Sequence, residues 1–164
     1  MSILVRHAMT EAPTTIGPDM NAADAAGMMR SEDVGAIPVV QDAAVLGLVT
    51  DRDLVLRVIA ERRDPTEVRV SEVMTGSPVT VSPDAKLSEA RQLMERHKVR
   101  RLLVSKGEEL VGILSLGDVA WADASAREVG EALRAVSESD QTREMSEDAA
   151  RGTPQRVQER RPSA

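Results

Sequence analysis

The chain contains no cysteine, no phenylalanine and no tyrosine among its 164 residues, and only one tryptophan, Trp121. Without cysteine there can be no disulfide, no thiolate metal site and no thiol catalysis, which fits a reducing compartment. The near absence of aromatics means that Val, Leu, Ile, Met and Ala must build the core. It also removes the stacking surfaces that single-stranded nucleic acid uses, and the net charge of −6 points the same way. Only two histidines are present, His7 and His97. They leave little room for acid–base chemistry, and no carboxylate joins them at helical ligand spacing on a shared apolar face, so no metal site is expected. His97 reads as a helix-end residue. No apolar run reaches transmembrane length, and the apolar part of the opening segment is too short for a secretory signal. The expectation is a soluble, cytoplasmic protein.

What the chain does have is a repeat. Residues 8–53 laid over residues 73–118, a shift of 65, align without a gap and share twelve identities in forty-six positions. Met9-Thr10 meets Met74-Thr75, Pro13 meets Pro78, Pro18-Asp19 meets Pro83-Asp84, Gly47 meets Gly112 and Asp53 meets Asp118. Such regularity fixes architecture before any local reading. Each copy is about fifty residues, a size at which a separate core is marginal. The two copies are therefore expected to pack on each other.

Each copy reads as β-α-β-β-α. An extended piece (Pro13–Ile16, Pro78–Val81) precedes a Pro-Asp turn. A helix follows, about Ala22–Ser31 capped by Asn21, or Leu87–His97 with apolar residues at helical spacing. Two short β-branched runs then read as a hairpin: Ala36–Val40 with Val45–Val49, and Leu102–Val104 with Leu110–Leu114. A second helix closes each copy near Asp51–Arg62 and Leu116–Asp123. The fold class expected is α+β, two such repeats related by pseudo-twofold symmetry. The organisation expected is repeat 1 over 3–62, a linker over 63–71, repeat 2 over 72–123, an amphipathic helix over 124–136, and a disordered tail over 137–164. Met28, Met29 and Met94 read as core fillers. Trp121 is expected to pack at the repeat or dimer interface.

The sharpest local pattern closes each hairpin: Gly47-Leu48-Val49-Thr50-Asp51-Arg52-Asp53 and Gly112-Ile113-Leu114-Ser115-Leu116-Gly117-Asp118. The simpler reading is a capping box, in which Thr50 or Ser115 caps a helix and the Asp three residues on returns the bond. The functional reading uses the same geometry. A helix N-terminus with a hydroxyl donor, and with Arg52, suits phosphate. An Asp one turn in can accept from two ribose hydroxyls. Together they suggest a nucleotide.

These motifs, with Val-Gly-Ala-Ile-Pro-Val-Val over residues 34–40 and Met-Thr before each Pro, resemble a tandem pair of CBS domains (a Bateman module) over roughly residues 3–123. The short layout is similar to that of bacterial stand-alone two-CBS stress proteins. The resemblance implies two clefts that take an adenosine-containing ligand such as AMP, ADP or ATP, with no cofactor required. In such modules Asp53 and Asp118 would hold ribose. Thr50, Arg52, Ser115, Arg100 and Arg101 would meet phosphate. Ala12, Pro13, Gly35, Ala36, Ile37, Ser77, Pro78, Val79 and Leu102 would border the adenine. The resemblance further implies a non-catalytic regulatory role, a homodimer, and an unknown protein partner, with no nucleic acid and no membrane. The copies differ: Arg52 stands against Gly117, and Gly35-Ala36 against Arg100-Arg101. Two unequal sites are expected. The alternative is a dimeric stress-response interaction protein with vestigial clefts.

Overall fold

The structure is a computed structural model that describes residues 2–122, 127 and 129–137. After a 3-10 turn at Val5–His7 come β1 (Thr10–Glu11), α1 (Ala22–Glu32), β2 (Ala36–Gln41) and β3 (Ala44–Thr50). Next is α2 (Asp51–Leu54), which runs on as a π-helical turn over Val55–Ile59. Repeat 2 follows as α3 (Val70–Val73), β4 (Thr75–Gly76), β5 (Thr80–Val81), α4 (Leu87–His97), β6 (Arg101–Lys106), β7 (Glu109–Ser115) and α5 (Leu116–Ala122). Residues 129–137 are helical. Both hairpins and both long helices obey the 65-residue shift to the residue, and each hairpin carries its register shift at the same place, Val39/Val40 and Val104/Ser105. The fold is α+β with two repeats, as the sequence implies.

Local chemistry explains the boundaries. Asn21 Oδ1 accepts from the Asp24 N–H at 2.8 Å and starts α1. Both long helices end in a left-handed residue, Asp33 (φ 54°) and Lys98 (φ 55°). Pro38 sits inside β2 without harm. That strand lies at the sheet edge, where a missing N–H is tolerated, and the Pro38 carbonyl still accepts from Ile16 N–H at 3.0 Å. The extended piece predicted at Pro13–Ile16 is reduced to a single parallel bridge, Ile16 to Val39, while its counterpart forms β5.

Among the described residues the strands form one seven-stranded sheet with the central order β2-β3-β7-β6-β5. The two shortest strands cross over. β1 of repeat 1 pairs with β7 of repeat 2, Thr10 opposite Ile113 and Glu11 opposite Gly112. Reciprocally, β4 of repeat 2 pairs with β3 of repeat 1, Gly47 opposite Gly76 and Leu48 opposite Thr75. The crossings need glycine. A Cβ on Gly47 would stand 2.6 Å from the Thr75 carbonyl oxygen, and one on Gly112 2.7 Å from Met9 Sδ and 3.0 Å from the Thr10 carbonyl oxygen. A glycine inside a strand marks such close backbone approach.

Two aliphatic cores result, one per repeat. Met29, Ile37, Val39, Val49 and Leu54 anchor the first. Met94, Leu102, Val104, Leu114 and Val119 anchor the second, which also takes Ala132 and Val136 of the helix over 129–137. Met29 and Met94 are buried core residues, as predicted. Trp121 does not pack within the chain; it is 93% exposed, because it projects from the outer side of α5. The predicted disordered tail falls outside the described residues apart from Ser137, which is helical.

Candidate functional site

The strand crossings assemble the candidate site. Each crossing strand leads straight into a segment predicted to border a ligand. Ala12 and Pro13 follow β1, and the Ala12 N–H donates to the Val111 carbonyl of β7 at 3.2 Å. Ser77, Pro78 and Val79 follow β4, and the Val79 carbonyl accepts from the Leu103 N–H of β6 at 3.1 Å. A second link ties the loop before each hairpin to the helix after it. The Asp51 N–H donates to the Gly35 carbonyl at 3.0 Å, and the Leu116 N–H donates to the Arg100 carbonyl at 2.9 Å.

A cleft of about 510 Å³ lies at the first of these junctions. Repeat 2 supplies Arg101, Ile113, Ser115 and Asp118. Repeat 1 supplies Thr10, Ala12, Pro13, Thr14, Gly35 and Ala36, together with Glu32, Asp33 and Val34 from the end of α1. Seven of the sequence-predicted residues therefore share one cavity. Thr10, Thr14, Glu32, Asp33, Val34 and Ile113 were not among the predicted site residues. The only sequence signal for Glu32 and Asp33 was their position just before Gly35.

Both hydroxyl-Asp pairs form complete capping boxes. In repeat 1, Asp53 Oδ2 accepts from Thr50 N–H (3.0 Å) and from the Thr50 hydroxyl (2.9 Å), and Asp53 N–H donates to Thr50 Oγ1 at 3.1 Å. In repeat 2, Asp118 Oδ2 accepts from Ser115 N–H and from its hydroxyl, both at 2.7 Å, and Asp118 N–H donates to Ser115 Oγ at 3.1 Å. The simpler sequence reading thus holds in both copies. It constrains the other one: each hydroxyl already gives its proton to its own carboxylate and must turn to serve a phosphate.

Beyond the caps the two carboxylates differ. Asp53 is 9% exposed, and its Oδ1 lies 3.4 Å from Arg57 Nη1. Arg57 also donates to the Val73 carbonyl and, at 3.1 Å, to the Met74 carbonyl, where repeat 2 begins its crossing. Asp118 is half-buried and lines the open cleft. The counterpart of Arg57 is Ala122, so only repeat 1 has this clamp. Arg57 was not foreseen; nothing in its sequence neighbourhood distinguishes it from other exposed helical arginines.

The remaining predicted residues are placed as follows. Arg52 and Arg100 are exposed, Arg52 beside Thr50 and Arg100 at the foot of β6. Ile37 and Leu102 are fully buried core residues, so any ligand contact from them falls to the main chain. Among the described residues no group of three or more His, Cys, Asp or Glu side chains is placed to hold a metal, and no helix is long and apolar enough to cross a membrane.

Comparison with known proteins agrees with this architecture. The CBS domain matches residues 5–60 and again 70–125. The CBS domain-containing protein YhcV of Bacillus subtilis is 41% identical over 133 residues, 81% of this chain and 94% of its own length. Hypoxic response protein 1 of Mycobacterium tuberculosis is 35% identical over 116 residues, 70% of this chain and 81% of its own. A crystal structure of Hypoxic Response Protein I with two coordinated zinc ions superposes with a TM-score of 0.66 at 32% identity, covering 72% of this chain and 97% of that one. CBSX2 in complex with AMP superposes with a TM-score of 0.62 at 28% identity, covering 73% and 95%. The double match in sequence, the reciprocal strand crossing and the inter-repeat cleft converge: the chain belongs to the CBS-domain family, with two CBS domains in tandem.

Proposed function

We propose that this protein is a non-catalytic, cytoplasmic regulator that binds an adenosine-containing ligand of the AMP, ADP or ATP class in its inter-repeat clefts, acts as a homodimer, and signals to a protein partner in trans. The observation that carries this reading is the 510 Å³ cleft, which gathers a carboxylate, a hydroxyl, an arginine and small apolar residues from both repeats. Asp118 takes the ribose hydroxyls. Arg101 and Ser115 take the first phosphate, at the start of α5. Ala12, Pro13, Gly35 and Ala36 form a thin aliphatic border for the adenine. The AMP carried by CBSX2, a structural neighbour, supports the ligand class. In the mated cleft, Asp53, Thr50 and Arg52 play the same parts with Arg100, Ser77, Pro78 and Val79. Ligand binding biases the pair between two arrangements, and it can do so only by the difference in affinity for them.

One observation favours a narrower reading at Asp53. Its carboxylate is spent on the cap through Oδ2 and on Arg57 through Oδ1. That cleft would then be vestigial, and Asp118 would do the binding alone.

Thermal unfolding of the full chain with AMP, ADP, ATP and S-adenosylmethionine tests the proposal. A ligand at one hundred times its Kd adds about 2.7 kcal/mol, a rise of about 5–10 °C for a chain of this size. Asp118→Ala should abolish the rise. No shift with any of the four at millimolar concentration would refute nucleotide binding. A shift lost in Asp53→Ala but kept in Asp118→Ala would reverse the assignment of clefts.

A further inference from the structure

The helix that ends at the rim of the 510 Å³ cleft carries acid where a phosphate site calls for base. α1 closes with Glu32 and Asp33, and both line the cleft with Arg101, Ser115 and Asp118. Both are exposed, and among the described residues neither side chain has a hydrogen bond or an ion pair to occupy it. The 65-residue shift sets them against His97-Lys98 at the end of α4. The backbone is the same at both ends. Asp33 and Lys98 are left-handed, at φ 54° and 55°, and the Val34 and Val99 N–H groups donate to the Met29 and Met94 carbonyls, each at 3.0 Å. Geometry is kept between the copies and charge is inverted.

Helix stability does not account for the acidic pair. The C-terminal end of a helix is the negative pole of its dipole, which favours cations and disfavours carboxylates. His97 and Lys98 comply with that rule; Glu32 and Asp33 go against it. Their effect falls on the cleft. Among the described residues that line it, the carboxylates of Glu32, Asp33 and Asp118 surround a single cation, Arg101. Arg101 suits one phosphate group, which carries about −1.5 to −2 charges at pH 7. Further phosphates add negative charge, meet no further cation along this lining, and are repelled by the rim.

We propose that Glu32 and Asp33 are specificity-determining residues: they make the Asp118 cleft accept an adenosine ligand with one phosphate and reject those with two or three. Arg101 and Ser115 take the one phosphate, and the rim turns away a longer chain by like-charge repulsion, which is discrimination against the wrong ligand rather than added grip on the right one. The inference rests on the nucleotide reading above and adds the phosphate count that this cleft admits.

Titration calorimetry of the full chain with AMP and with ATP, in buffer free of divalent cations, provides the test. Asp53→Ala serves as the background, so that only the Asp118 cleft reports. In it AMP should bind about tenfold tighter than ATP. Glu32→Gln with Asp33→Asn removes both charges at exposed positions, and Asn tolerates the left-handed residue. ATP should then gain roughly fivefold in affinity and AMP less. Glu32→His with Asp33→Lys installs what α4 already carries on the same backbone, and should reverse the order so that ATP binds tighter. Raising the salt concentration should narrow the ratio in the background protein but not in the neutral variant. If no nucleotide binds even the wild type, the nucleotide reading itself is refuted, and this inference with it. If the wild type binds and the background does not, the ligand sits in the other cleft and only this inference is refuted. It is equally refuted if the background binds ATP as tightly as AMP, or if both double substitutions leave the ratio unchanged.

Discussion

Replacing Gly47 and Gly112 by alanine, one at a time, probes the strand crossings directly. The two positions are sequence counterparts, both buried, and both at the centre of a hairpin strand. Considered alone, each Gly→Ala change should stabilise by about 0.4–1 kcal/mol by restricting the unfolded chain. The crossing strands reverse that sign. At Gly47 the new Cβ would stand 2.6 Å from the Thr75 carbonyl oxygen and 3.3 Å from its carbon. Those are main-chain atoms of β4, and they can move only if the crossing itself opens. At Gly112 the nearest atom, at 2.7 Å, is Met9 Sδ, the far part of a flexible side chain, with the Thr10 carbonyl oxygen at 3.0 Å. Forced overpacking costs about 1–3 kcal/mol. Gly47→Ala should fall at the upper end, about 2–3 kcal/mol net, and Gly112→Ala near 1 kcal/mol. Urea denaturation followed by far-UV circular dichroism measures both, and about 2–4 °C of Tm per kcal/mol offers a second readout. If Gly47→Ala is neutral or stabilising, or if the two variants are equally harmful, the crossings are not as close as described.

Arg57→Met keeps the aliphatic stem but removes the bonds to the Val73 and Met74 carbonyls and the contact with Asp53. Its side chain is 42% exposed, so the ion pair is discounted for solvent and the carbonyl bonds carry the effect, a loss of about 1–2 kcal/mol by chemical denaturation. Asp42 and Ala43 both have positive φ, 49° and 67°, a turn that favours Gly at its second position; Ala43→Gly should raise stability by about 0.5–1 kcal/mol. Asn21→Ala should cost about 1 kcal/mol by removing the α1 cap, whereas Lys86→Ala, at the uncapped counterpart, should cost less in the same assay. Glu72 accepts from Arg69 N–H and pairs with Arg63, which holds its carboxyl below the usual range. A depressed carboxylate adds stability above its unfolded pKa and loses it as pH falls through the folded one. Below pH 5 the urea midpoint of the wild type should therefore drop more steeply than that of Glu72→Gln.

The repeat was legible because it is written in residue identities, and the structure follows it from Ala22 to Ser115. Caps and hairpins were legible because their chemistry is local: Asn21 at a helix start, and the paired β-branched runs of each hairpin. The crossings were not. A two-residue strand such as Thr10–Glu11 has no periodicity to read, and its partner Ile113 lies in the other repeat. The hint was the matched pair Gly47 and Gly112, glycines in mid-strand, which the alignment showed as identities without showing what approaches them. Legibility also failed where one geometry serves two ends. Thr50-x-x-Asp53 and Ser115-x-x-Asp118 read as both cap and ligand site. The structure shows the cap in each and distinguishes them only by surroundings, Arg57 at one and an open cleft at the other. Trp121 was expected at the repeat or dimer interface; it takes no part in the repeat interface and stands exposed on the single chain, because which side of a short helix faces outward depends on packing that no local pattern encodes.

The strand crossing also sets a schedule for synthesis. Repeat 1 leaves the ribosome first, yet β3 stays unpaired on one side until Thr75 and Gly76 emerge, and β1 waits for Gly112 and Ile113. At about 5–20 residues per second, the nascent N-terminal half spends seconds with an open sheet edge, the condition that invites misassembly. Neither half can finish alone, so a gene cut between the repeats would yield two incomplete sheets rather than two small domains.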